Sequence, residues 1–105
     1  MVNKTIAERF VLDLLRADTT PIGETPFTLW RSTLGFHASN LPPETKPFRR
    51  LDEAESATVK HMLDNGVLVT TGEACEPSPG VMGMRIVLNE DMPLMDIARY
   101  IAATS

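Results

Sequence analysis

The chain has 105 residues and a net charge of −4, from ten Lys and Arg against fourteen Asp and Glu, with 43% hydrophobic and 23% charged residues. This length suits a single domain over residues 1–105 with one core, and no apolar run approaches the roughly 20 residues of a membrane-spanning helix. The acidic balance weakens a nucleic-acid role, which rests on phosphate neutralisation, and leaves room only for a local basic patch. The single cysteine, Cys75, excludes an intrachain disulfide, and its neighbours Glu73 and Glu76 do not favour a reactive thiolate. The N-terminal MVNKTIAERF carries Glu8 and no apolar core of signal-peptide length, so a cytoplasmic location is the default expectation.

The first helix is predicted over residues 5–17. Thr5 and Glu8 have capping-box spacing, and Ile6, Phe10, Leu14, Val11 and Leu15 form one apolar stripe. Residues 18–25 read as a loop around Pro21 and Gly23. Thr25-Pro26 then suits a helix start, giving a short helix over 26–34 that presents Phe27, Trp30 and Leu34 and stops at Gly35. A strand is the alternative, because Phe27, Leu29 and the threonines suit one too.

Residues 36–50 are the least regular stretch. Prolines at 42, 43 and 47 forbid a continuous helix or central strand, leaving at most a short turn near 38–41. Irregular segments of this length in small domains are often either functional or mobile. Asp52 and Glu55 predict the capping box of a further helix with Val59, Met62 and Leu63 inward. Asn65-Gly66 stops it, with Val67 folding back on Met62. A strand over 67–71 and another over 84–89 make a hairpin with a long tip containing Gly72, Pro77, Pro79 and Gly80. Asp91 is expected to cap a last helix reaching Ala103, with Leu94, Ile97, Ala98 and Ile101 inward. The expected class is α+β: a small, mostly helical domain of about four helices with a β-hairpin in its C-terminal half.

Val59, Met62 and Leu63, then Asn65-Gly66-Val67-Leu68-Val69, then Arg85-Ile86-Val87-Leu88, follow a helix–stop–strand–wing–strand order. In this the stretch from Leu51 to Asn89 resembles the last helix and wing of winged helix-turn-helix proteins, bacterial transcription regulators among them. The resemblance implies a winged-helix-like arrangement and, in members that bind DNA, a helix N-terminus in the major groove. Here that N-terminus carries Asp52, Glu53 and Glu55, and the wing carries Glu73 and Glu76; the nearest basic cluster is Lys46, Arg49 and Arg50, with Arg31 and Lys60 at its fringe. The 36–50 segment is also much longer than the tight turn of a helix-turn-helix.

Chemistry-bearing residues are sparse. His37 and His61 have no metal-ligand spacing with each other or with Cys75. Ser32 or Ser39 with His37 and an Asp could be drawn as a triad, which has no weight without geometry. Met82, Met84, Met92 and Met95 suit either an adaptable contact surface or core filling. The leading expectation is therefore a non-enzymatic protein that binds another macromolecule, as a protein-interaction module (regulator, adaptor or inhibitor, of a type found in mobile elements), with no cofactor and no metal. Its partner-binding residues are expected to be Phe36, His37, Lys46, Phe48, Arg49 and Arg50, aromatics and cations being the usual interface anchors. The alternative is a DNA-binding winged-helix transcriptional regulator using Lys46, Arg49, Arg50, Lys60 and Arg85 on the phosphate backbone, its patch doubled by homodimerisation through the first or last helix.

Overall fold

The computed structural model describes residues 3–17, 27–39, 49–78 and 80–104. Its elements in chain order are α1 (Lys4–Ala17), β1 (Thr28–Ser32), β2 (Gly35–Ser39), β3 (Arg49–Arg50), α2 (Glu53–Asp64), β4 (Leu68–Ser78), β5 (Val81–Leu88) and α3 (Leu94–Ala103). The strands form one antiparallel sheet in the order β3-β2-β1-β5-β4. The class is α+β, with three helices and a five-stranded sheet among the described residues.

Helix boundaries follow local chemistry. Asn3 begins α1: its Oδ1 accepts the Ile6 N–H at 3.1 Å, filling the cap assigned above to Thr5. The Asn3 N–H in turn donates to Thr58 Oγ1 at 3.0 Å, tying the start of α1 to the middle of α2. At α2 the expected capping box is present: Asp52 Oδ1 accepts the Glu55 N–H at 2.8 Å and Glu55 Oε1 accepts the Asp52 N–H at 3.2 Å. The helix ends as Asn65-Gly66 predicts. Gly66 takes φ +75°, its N–H reaches Leu63 O, and the Val67 N–H reaches Met62 O at 2.9 Å, satisfying two terminal carbonyls.

Four expectations about the strands are corrected. Residues 28–32 are a strand, not part of a helix, which removes the fourth helix; β1 pairs on both sides, with β2 and β5, and those two ladders outweigh the weak helical preference of TLWRS. Gly35, at φ +125°, closes the β1–β2 turn instead of ending a helix. Residues 35–39 are strand, so Ala38 is not in a turn; the prolines, Lys46 and Phe48 lie outside the described residues, as does the 18–25 loop. β4 runs on to Ser78, absorbing most of the expected long tip, with register shifts between Thr70 and Ala74 and between Cys75 and Ser78.

At the C-terminus, α3 starts after Pro93 with no side-chain cap, and Asp91 lies in the preceding turn, where its N–H donates to Asn89 Oδ1 at 2.9 Å. Of its expected inward residues, Ile97 is buried and Ile101 half-buried, whereas Leu94 and Ala98 are exposed.

Strand alternation divides the sheet into two faces. Leu29, Ala38 and Ile86 are register neighbours and join Ala7, Phe10, Val11, Leu14, Val59, Met62 and Ile97 in the core beneath the helices. Phe10 stacks on Phe27 with ring centroids 6.0 Å apart. Trp30 and His37 are paired across β1 and β2 on the opposite face, where both are buried outside that core.

Candidate functional site

The four described members of the expected partner-binding set do come together, on β2 and β3. Antiparallel pairing sets His37 opposite Arg50 and Ala38 opposite Arg49, and the Leu51 N–H donates to Phe36 O at 2.9 Å. The same alternation then separates them. Phe36 and Arg49 fall on the helix face, and His37 and Arg50 fall on the other. They do not make one patch.

Each also has a structural environment. Phe36 is half-buried against the core. Arg49 donates to Glu55 Oε1 at 2.8 Å and Oε2 at 3.1 Å, and Arg9 of α1 donates to Oε2 at 2.6 Å. Glu55 is only 5% exposed, so this carboxylate is a buried tie between α1, α2 and the edge of the sheet. Hydrogen bonds from Arg49 first, then the Asp52 N–H and the charges of both arginines, hold its pKa down at about 2 against the opposing effect of burial.

His37 is 2% exposed, with Nε2 2.7 Å from Ser32 Oγ and Nδ1 without a hydrogen-bond partner among the described residues. Burial, then the nearby Arg50 charge, lower its pKa, so the neutral ring is favoured. Ser32 Oγ also accepts the Leu34 N–H at 3.1 Å and lies 3.4 Å from Gly35 O. A hydroxyl has one proton and two lone pairs. The arrangement that satisfies all three contacts sends the Ser32 proton to Gly35 O and has His37 Nε2–H donate to Oγ. In that state His37 holds the turn and does not act as a base on Ser32, and no described carboxylate orients Nδ1.

The other cations considered for DNA divide similarly. Arg85 pairs with Glu73 across β4 and β5 at 2.9 Å. Lys60 and Arg31 are exposed and form no ion pair among the described residues. These two line a groove of about 310 Å³ between the β1–β2 turn and α2, floored by Phe36 and Leu63 and bounded by Asp64. Register places Arg31 directly between Phe36 and Met84 on the helix face of the sheet. The helices do not extend over this end: Met84 is 47% exposed, Met82 two residues along the same strand 62%, and Leu34 in the turn 46%. Exposed Met and Arg around a half-buried aromatic is interface chemistry. Lys60 and Arg31 belonged to the fringe of the expected basic cluster; the exposure of Met84 had no local signal, because alternation alone does not say where helical cover ends.

His61 is exposed on α2, where its Nδ1 shares a hydrogen bond with the Tyr100 hydroxyl of α3 at 2.5 Å, with ring centroids 5.5 Å apart. It joins two helices and faces no groove described here. Among the described residues no three His, Cys, Asp or Glu side chains converge as a metal site requires, and no helix is long and apolar enough to cross a membrane. No protein-family model matches the chain, and neither a curated protein nor a solved structure shows significant similarity to it.

Proposed function

We propose that this protein is a non-enzymatic, cytoplasmic interaction module that binds another protein through the groove between the β1–β2 turn and α2 together with the exposed apolar strip of Leu34, Met82 and Met84 beside it. The observation that carries the reading is the exposure of Met84, Met82 and Leu34 around Arg31, an unpaired cation among the described residues on a chain of net charge −4. Apolar anchors of this kind gain from burial in a complex, and the cations select an acidic rim. In this reading α2, β4 and β5 are a winged-helix-like scaffold, Arg49 ties the sheet edge to Glu55, and buried His37 holds the β1–β2 turn. Arg50, exposed beside the Gly35 turn, adds a cation to the opposite face.

The test is affinity capture from the native host with the unaltered protein, Met84→Asp and the α1 surface control Glu8→Lys. A stoichiometric protein should be recovered with the unaltered chain and the control and lost with Met84→Asp. Equal recovery with all three would refute this combined surface as the docking site.

One observation favours the DNA-binding alternative. Glu55 turns inward onto Arg9 and Arg49, so one of the three carboxylates at the start of α2 is not presented to solvent. In that reading Arg31, Lys60 and Arg50 would contact phosphates, and duplex binding would fall steeply with added salt. An absence of retention on duplex DNA at low salt disposes of it.

A further inference from the structure

Large apolar side chains stand in solvent singly at Leu12 and Val69 and grouped in two places, one of them beside the groove at Leu34, Met82 and Met84. The other is the turn entering α3, where Leu94 is 61% and Met95 67% exposed. The two differ in sign. Arg31 and Lys60 line the groove, with Asp64 as its acidic member. Glu90, Asp91 and Asp96, all exposed, flank Leu94 and Met95; Arg99 lies 3.6 Å from Asp96 and 3.7 Å from Met95 Sδ, and Arg85, paired with Glu73, lines the cavity beside Leu94 and Glu90.

We infer that the acidic apolar turn of a second copy occupies the basic apolar groove of the first, joining chains head to tail. The inference rests on the groove being a protein-docking surface, and it deepens that reading by stating what the groove selects: thioether and aliphatic anchors flanked by carboxylates. Charge complementarity carries the choice of occupant. Arg31 and Lys60 have no ionic partner among the described residues, and neither do Glu90 and Asp91. Opposite charge on the two surfaces steers them together, and like charge keeps groove from groove and turn from turn. Because donor and acceptor are different parts of the chain, each contact leaves one free groove and one free turn, so association continues until a ring closes. A groove of 310 Å³ takes only a few side chains, so the contact is weak and salt-sensitive. An outside partner would compete with it for the same groove.

The decisive experiment uses two half-defective chains. Arg31→Glu with Lys60→Glu disables the groove, and Leu94→Glu with Met95→Glu disables the turn; all four positions are exposed, and circular dichroism melting checks that both variants fold. Sedimentation velocity is run from roughly 10 μM to roughly 1 mM, the range of weak contacts. The unaltered protein should gain mass with concentration and lose it with salt. Each variant alone should stay monomeric, and an equimolar mixture should form a heterodimer that does not grow. A monomeric unaltered chain at the highest concentration in low salt overturns the inference, as does a mixture that stays monomeric or a single variant that still self-associates. If the unaltered chain is monomeric yet Met84→Asp still loses its captured partner, self-docking falls and the interaction-module reading stands. If chains assemble as described while Met84→Asp captures its partner normally, the external docking site lies elsewhere and self-docking stands.

Discussion

Glu55 and Arg31 are both charged groups set beside apolar neighbours, and they have opposite fates. Glu55 is enclosed and meets the guanidiniums of Arg9 on α1 and Arg49 on β3 and the Asp52 N–H at the start of its own helix. Arg31 lies on the same face of the sheet between Phe36 and Met84, where the helical cover stops, and no described carboxylate reaches it. A charge answered from inside the fold stabilises it, and a charge left unanswered beside exposed methionines is available to something else. Arg49, counted among the expected contact residues, belongs to the first kind.

The largest expected effect is on the Glu55 side of this contrast. Glu55→Ala removes the capping-box carboxylate and leaves Arg9 and Arg49 without their acceptor. It should destabilise by about 2–3 kcal/mol in urea unfolding, a value reduced by the half-exposure of both arginines. Glu55→Gln keeps the shape and part of the hydrogen bonding and should lose less. If Glu55→Ala unfolds like the unaltered protein, the three-way tie contributes nothing.

Acid titration separates two buried groups. The folded pKa of Glu55, about 2, lies below its ordinary 4.5, so its contribution is fully present above pH 4.5 and is lost as pH falls towards 2. The His37 pKa is also lowered, from 6.5, because the folded state disfavours the imidazolium. Stability should therefore be at its plateau above pH 6.5 and begin to decline below it, before Glu55 titrates. His37→Gln should remove the upper decline and leave the lower one, read from urea midpoints across pH. A flat profile between pH 7 and pH 5 in the unaltered chain would contradict the account of His37.

The smallest effect on folding is expected at the groove. Arg31→Ala and Met84→Ser alter exposed side chains and should change stability by no more than about 0.5 kcal/mol. Both should nevertheless weaken partner capture. A substantial loss of stability would move these residues to the structural side of the comparison.

The elements legible in advance are those governed by neighbours in sequence. The α2 capping box, its Asn65-Gly66 stop and the α1 stripe depend on contacts within four or five positions. Thr28–Ser32 has no such signal, since five residues of mixed preference suit a short helix or a strand, and pairing with Gly83 to Ile86 decides between them. Phe36, His37, Arg49 and Arg50 lie side by side on β2 and β3 but on two faces of the sheet, and that division depends on a strand register that composition does not carry. The groove was legible only in pieces: Arg31 and Lys60 as cations, Met84 as a methionine of either use.

By itself the sequence determined the α+β class, the apolar stripe of α1, α2 with both of its ends and a β-hairpin in the C-terminal half, because capping, glycine stops and alternation act over a few residues. The tertiary structure alone decided that β1 joins the sheet, that Glu55 collects arginines 46 and 6 positions away, and that Met84 and Leu34 stay uncovered. These are outcomes of chain segments meeting, and which side chains end up answered or exposed is fixed by where the helices stop covering the sheet.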